Sequence, residues 1–285
     1  MLSKAHKGKT SFSCEVFPPK RNDDIYEIYK TLDEIKLLKP DFISVTYGAG
    51  GSIINNKTVE LASYIKNKKG ISSLSHLTCI NSNKDEVEQI LCELKKNNIR
   101  KILALRGDIN PDIPPKNDFS HADELVAYIK SKGDFSVSGA CYPEGHPDSG
   151  DDIVSDILNL KRKVDCGAEH LMSQLFFNND DFYSFLEKAR LAGISVPIEA
   201  GIMPVTSKSQ ILRMATMCGA SIPRKLARVL NKFENNPQAL EDAGIAYAID
   251  QIVDLIANGV DGIHLYTMNK PYIAKRIYDA VQSML

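Results

Sequence analysis

The chain has 285 residues, 43% of them apolar and 25% charged, with a formal net charge of -1. That is enough apolar material for one full core, and the even charge balance excludes the basic footprint of a nucleic-acid binder or a polybasic membrane surface. The opening MLSKAHKGKT is basic with no apolar run behind it, and no stretch has the length of a bilayer span. We therefore expect no signal peptide, no membrane anchor and a cytoplasmic location.

Short strand-like runs rich in β-branched, aromatic or small residues recur along the chain. The first is SFSCEVF (Ser11–Phe17), followed by a helical pattern with Ile25, Ile28, Tyr29, Leu32, Ile35 and Leu38 on one stripe. DFISVTYG (Asp41–Gly48) runs into a glycine-rich loop, YGAGGS. SSLSHLTC (Ser72–Cys79) precedes a helix with Val87, Ile90, Leu91 and Leu94 on one face. KILALRG (Lys101–Gly107) leads into the proline-rich DINPDIPPKND, expected to be irregular. SVSGACY (Ser136–Tyr142) precedes the helical DDIVSDILNLKRKVDCGA, which closes at Gly167. HLMSQLF (His170–Phe176) and VPIEAGI (Val196–Ile202) follow. Two helical stretches, SKSQILRMATMCGA and IPRKLARVLNKF, then precede AYAIDQIVDLIANG, which ends at a glycine cap, Gly259. The last run is GIHLYTM (Gly262–Met268).

Eight strands alternating with helices predict an α/β fold of the (β/α)8 TIM-barrel type, a single catalytic domain over residues 1–285 with extra helices between strands 7 and 8. A doubly wound open sheet is the alternative. It would normally carry a G-x-G-x-x-G turn, and YGAGGS fails that spacing. The six cysteines are scattered with no C-x-x-C pair, so free thiols are expected. His76 and Cys79 form H-x-x-C, half of a metal site with no second half in the sequence, and no metal is expected.

In such a barrel the active site sits at the C-terminal strand ends. The fourth run ends in Arg106-Gly107-Asp108, which brings a cation and an anion to the mouth around a glycine that lets the backbone approach a ligand. A salt-bridged rim turn is the plainer reading. Polar residues end the other runs too: Glu15; Thr46 and Tyr47; His76 and Thr78; Tyr142, Glu144 and His146; Gln174; Tyr266, Thr267 and Asn269. That concentration at one end favours a site.

The motifs CEVFPPK, SVTYGAGG, HLTC, ALRGD, YPEGHP, NLKRKVDCGA, SQLFF, GIMPVTS and HLYTMNK, in this order and over nearly the whole chain, resemble those of methylenetetrahydrofolate reductases of the compact bacterial type. The resemblance implies a barrel that carries FAD without a Rossmann fingerprint and reduces 5,10-methylenetetrahydrofolate to 5-methyltetrahydrofolate, with NADH or NADPH as hydride donor in a ping-pong cycle. FAD rather than FMN rests on the resemblance alone. Glu15 would be the general acid that opens the folate's five-membered ring. Its carboxyl, among Ser11, Ser13 and apolar neighbours, is expected to hold its proton more tightly than usual. Asp108 would sit near the flavin pyrimidine and the pterin, tuning both electrostatically. Thr46, Tyr47, Ala49, His76, Arg106, Gly107, Asp108, Ala122, Tyr142 and His146 match FAD-contacting positions. So do Asp156, Asn159, Arg162 and Lys163, three of which share a helix face. Gln174 and Lys270 match substrate positions, beside Glu15 and Asp108.

Two positions depart from the NADH-dependent pattern. Lys208 stands where an aromatic residue often stacks on the nicotinamide or folate ring, and Lys270 where an arginine often meets the substrate. The first keeps open a donor protein, ferredoxin-like or a partner subunit. A non-catalytic barrel that binds folate or flavin as an accessory subunit is a third reading, which the presence of both Glu15 and Asp108 argues against. The resemblance also implies a homo-oligomer and, with no regulatory domain in the chain, no inhibition by S-adenosylmethionine at a dedicated site.

Overall fold

The computed structural model describes residues 9–19, 25–47, 56–109, 114–150 and 152–285. Eight parallel strands close in sequence order into one barrel: β1 (Ser11–Val16), β2 (Phe42–Val45), β3 (Ser73–Thr78), β4 (Lys101–Leu105), β5 (Ser136–Cys141), β6 (Ala168–Ser173), β7 (Ile198–Ile202) and β8 (Gly262–Tyr266). Seven of the eight predicted runs contain their strand; the sixth, from His170, starts two residues inside β6, which begins at Ala168. All but the seventh run overshoot at their C-terminal ends because the residues there leave the ladder to form the mouth, as Arg106 and Gly107 do after β4.

Alternation along β1 explains the barrel's two-sided character. Phe12, Cys14 and Val16 face outward into the core shared with the helices, while Ser11, Ser13 and Glu15 face the interior. The interior is partly filled by Phe42, Leu74, Leu103 and Met172. The rest of it is polar, with Ser13, Ser44, Ser138, His170, Glu199 and His264 all buried.

The helices follow as α1 (Ile25–Lys36), α2 (Asn56–Ser63, continued by a π turn to Lys68), α3 (Lys84–Lys96), α4 (Ala122–Ser131), α5 (Ile153–Asp165) and α6 (Asn179–Leu191). After β7 come α7 (Lys208–Cys218), α8 (Arg224–Lys232) and α9 (Pro237–Ala257), and after β8 comes α10 (Pro271–Val281). The predicted insertion between strands 7 and 8 is therefore present. The helix α9 begins earlier than the pattern from Ala246 implied. Asn236 caps it by accepting from the Ala239 N–H at 3.1 Å, and Pro237 opens it. Its first half was hard to read because Leu240, Gly244 and Ile245 are buried against neighbours on more than one side. Cys166 caps α5, and Gly167 at φ +115° turns the chain into β6.

Candidate functional site

The C-terminal ends of the strands enclose a cavity of about 550 Å³. Its wall includes Glu15 from β1, Thr46 and Tyr47 beyond β2, His76 and Thr78 from β3, Arg106, Gly107 and Asp108 beyond β4, Tyr142 and His146 beyond β5, Gln174 beyond β6 and Tyr266 from β8. A second cavity of about 290 Å³ shares Leu105, Arg106, Ala140, Tyr142 and His146 with the first. It is lined by Ala122 from α4 and by Asp156, Asn159, Arg162 and Lys163 from α5. All the predicted site residues but Ala49 and Lys270 thus fall into two adjoining spaces, with Arg106 at the junction.

Gly107 has φ +89°, and a Cβ there would lie 3.0 Å from Thr78 Cβ. Glycine is required for the backbone turn and for packing on Thr78, a need that exists without any ligand. The turn sends Arg106 toward Asp148, with NH2 and Oδ2 2.7 Å apart. Asp108 lies exposed at the rim. Tyr142 and His146 meet edge to face, their rings 4.6 Å apart. Burial pushes the Tyr142 hydroxyl up to about 12, so it remains a hydrogen-bond donor.

On α5, Asp156 accepts from the His146 N–H at 2.6 Å and from Ser149 Oγ, fixing the loop after β5. Lys163 Nζ donates to the Ala140 carbonyl at 2.8 Å, and burial lowers its proton affinity. Arg162 is exposed, donates to Asn159 and lies 3.9 Å from Asp123. The second cavity carries Arg106, Arg162 and Lys163 in its wall beside Asp123, Asp148 and Asp156, and its guanidinium and ammonium groups can meet an anionic phosphate chain. Its continuity with an aromatic-walled mouth suits an elongated ligand with a flat head. The residues present fit a dinucleotide flavin.

Glu15 corrects the expectation of a raised proton affinity. Ser11 and Ser13 donate to Glu199 on β7 and not to Glu15. Burial raises Glu15's proton affinity, but a bond from His264, the nearby rings of His76 and His264, and Ser44 together hold the carboxyl below the ordinary range. Its Oε2 lies 3.5 Å from His76 Nε2 and 3.6 Å from His264 Nε2. His76 itself is lowered to about 4, chiefly by burial, so its ring is neutral at neutral pH.

His264 and Glu199 did not stand out in the sequence. Their signal is period two: His264 alternates with Tyr266 in GIHLYTM, and Glu199 with Gly201 in VPIEAGI, so each pair faces inward once the register is known. The register sets Ser13 opposite His264, Glu15 opposite Tyr266, and Glu199 opposite Gly262.

The remaining positions sit elsewhere. Ala49 lies outside the described residues. Lys270 is not in the cavity wall, and its Nζ donates to Thr206 Oγ1 at 3.3 Å. Lys208 pairs with Glu234 at 2.7 Å. Glu144 accepts the Ser221 N–H on both oxygens, at 2.9 and 3.1 Å, pinning the α7–α8 connection to the loop after β5. Cys79 Sγ points to the His121 carbonyl while His76 faces Glu15, so the H-x-x-C pair does not converge. Among the described residues no group of three or more His, Cys, Asp or Glu side chains could hold a metal, and no helix is long and apolar enough to cross a membrane.

Comparison with known proteins agrees with this geometry. The family profile of methylenetetrahydrofolate reductase matches residues 1–282. A 5,10-methylenetetrahydrofolate reductase from Pectobacterium carotovorum is 34% identical over 271 residues, covering 95% of this chain and 90% of that one. The Escherichia coli protein of that name is 35% identical over 264 residues, with 93% and 88% covered. Methylenetetrahydrofolate reductase (NADH) 1 of Arabidopsis thaliana is 36% identical, but the chain spans only 47% of its length. Among solved structures, an uncharacterized Clostridium thermocellum protein that binds two copies of 5-methyl-5,6,7,8-tetrahydrofolic acid superposes with a TM-score of 0.70 over 100% of this chain and 99% of that one. At 16% identity that likeness speaks for the barrel alone. A mouth with Glu15 in its wall, an adjoining cavity lined by α5 and matches over nearly the full length of bacterial relatives lead to one assignment: the chain belongs to the methylenetetrahydrofolate reductase family of oxidoreductases.

Proposed function

We propose that the protein reduces 5,10-methylenetetrahydrofolate to 5-methyltetrahydrofolate in the cytoplasm, on a single catalytic barrel, with FAD as its redox group and NAD(P)H as electron donor. The observation that carries this reading is the meeting of Glu15, Asp108 and Gln174 in one mouth that continues into a second cavity lined by Arg162 and Lys163. The bacterial relatives named 5,10-methylenetetrahydrofolate reductase support the substrate class.

Arg106, Arg162 and Lys163 would hold the diphosphate of FAD, while Thr46, Tyr47, His76, Gly107 and Tyr142 would wall its ring system. FAD, when bound, supplies the hydride. Glu15 delivers a proton to the substrate nitrogen that leaves as the five-membered ring opens. Asp108, an anion at the rim, stabilises the cationic iminium that this opening creates. Gln174 offers an amide that both donates and accepts, which suits a site visited in turn by nicotinamide and pterin.

A second reading keeps the folate chemistry and changes the donor. Lys208, tied to Glu234 at 2.7 Å, provides no aromatic platform for a nicotinamide, which favours electrons from a partner protein. An anaerobic absorbance spectrum of the FAD-loaded protein separates the two. Bleaching by NADH or NADPH, reversed by methylenetetrahydrofolate, supports the nicotinamide reading. A flavin band that both nicotinamides leave untouched, but that methylenetetrahydrofolate restores after chemical reduction, supports the partner protein. A protein that takes up no flavin contradicts both.

A further inference from the structure

The barrel interior behind Glu15 contains a second buried carboxylate and a histidine between the two. Glu199 is 2% exposed and His264 is 0% exposed. His264 Nε2 lies 3.6 Å from Glu15 Oε2, and Nδ1 lies 3.9 Å from Glu199 Oε2. Ser13 Oγ stands 2.7 Å from Nδ1 and donates to Glu199.

Counting hydrogens fixes the state of this chain of groups. A serine hydroxyl has one proton to give. Ser13 gives it to Glu199, so at 2.7 Å the partner Nδ1 must itself carry a hydrogen and donate to Ser13. A neutral His264 would then turn a bare lone pair at Nε2 toward the Glu15 carboxylate. Ser44 cannot resolve that conflict, because its single hydroxyl hydrogen faces both Nε2 at 3.4 Å and Glu15 Oε2 at 3.5 Å. A proton on Nε2 removes the conflict and places an imidazolium in ion-pair range of both carboxylates, 3.6 Å from Glu15 and 3.9 Å from Glu199. The neighbours agree. Glu199 also accepts from Ser11 Oγ at 2.7 Å and lies 3.4 Å from His170 Nε2. Burial pushes its proton affinity up, but His170, His264 and Ser13 hold it below the usual carboxylate range. The other ionisable groups around His264 are His76 on β3, Lys101 on β4, whose charge reaches Glu199, and Tyr266 on its own strand.

We infer that His264, fixed by Ser13 and Glu199, stores the proton that loads Glu15 for ring opening. The inference rests on the proposed folate reduction, which consumes one hydride and one proton per substrate. In the open site the proton sits on His264 Nε2. When ligands cover the mouth and expel water, the Glu15 carboxylate loses solvation and takes that proton. Ring opening breaks the carbon–nitrogen bond and moves the proton from Glu15 to the leaving nitrogen, so Glu15 is left as carboxylate and His264 as neutral imidazole. Water in the reopened mouth restores one proton to the pair. His264 and Glu199 are positioning residues in this account, since only Glu15 meets the substrate.

The test uses FAD-loaded protein with nitrogen-15 in its histidine rings, His264 being assigned by its loss in His264→Asn. At neutral pH the wild type should show hydrogens on both His264 nitrogens, and Glu199→Gln only one. In single turnovers from dithionite-reduced flavin, Glu199→Gln should slow flavin reoxidation by methylenetetrahydrofolate at least about tenfold above neutral pH, the equivalent of one pH unit in proton supply. It should recover toward wild type as the pH falls. Ser13→Ala, which removes the linking hydroxyl, should shift the profile in the same direction. A singly protonated wild-type His264, or profiles for both variants that superpose on wild type, would overturn the proton store. If wild-type flavin stays reduced in the presence of folate, the folate reading fails, and the ring-nitrogen count still decides the protonation of His264.

Discussion

Glu15 and His264 face each other across the seam where the barrel closes, Oε2 to Nε2 at 3.6 Å, with β1 and β8 paired in register beside them. The carboxyl at the base of the mouth is therefore held from behind by the barrel interior. In the proposed cycle its acid form is made when ligands cover the mouth. Glu15→Gln keeps the shape and removes the transferable proton. Folate reduction should fall about 10²–10⁴-fold, the range for a lost general acid. Flavin reduction by the electron donor should stay near wild type, since that step needs no acid at Glu15. Rapid mixing of each half-reaction separately checks this, and a near-wild-type folate rate in the variant would sink the assignment.

His76 gives the fold a defined pH dependence. Burial lowers its proton affinity from 6.5 to about 4, with the Glu15 carboxylate pulling it back up and His264 pushing it further down. The unfolded chain thus binds more protons than the folded one between those values. The stabilisation is complete above pH 6.5 and is lost as the pH falls toward 4, a change of ~3 kcal/mol from this ring. Glu15 and Glu199, held below the ordinary 4.5, act only in a lower range. Urea unfolding followed from pH 7 to 4.5 should show a falling midpoint in wild type and a flatter one in His76→Asn.

Arg106 is shared between a rim anion and the junction of the two cavities. Its partner Asp148 is 56% exposed and 2.7 Å away. Asp148→Asn frees the guanidinium for a phosphate chain, so FAD should bind severalfold more tightly. Isothermal titration of the apoprotein measures it. Unchanged or weaker binding would mean that Arg106 holds the loop after β5 and does not meet the cofactor.

Gly262 makes room for the buried carboxylate. A Cβ there would lie 2.0 Å from Ser11 Oγ and 2.7 Å from Glu199 Cγ. Gly262→Ala should destabilise the protein by about 1–3 kcal/mol, the usual cost of overpacking. It should also weaken Glu199's hold on His264. Denaturation midpoints give the first effect, and the histidine ring signals the second.

The barrel was legible because short runs such as SFSCEVF and KILALRG recur between helical stripes, and because the strand ends cluster polar residues. The mouth was legible from those ends, and α5 from the shared face of Asp156, Asn159 and Lys163. What stayed hidden depends on register. Nothing local shows that Ser11 and Ser13 serve Glu199, two strands away around the barrel, and leave Glu15 to His76, Ser44 and His264. The raised acid was therefore expected from the wrong neighbours. Likewise, Lys270 follows a strand end in sequence, yet its side chain turns to Thr206.

The most direct measurement mixes anaerobic, FAD-loaded, dithionite-reduced protein with 5,10-methylenetetrahydrofolate, following the flavin band while the folate product is quantified. The account predicts return of the oxidised band with one 5-methyltetrahydrofolate formed per flavin. A flavin that stays reduced, with no methyl product, would contradict it.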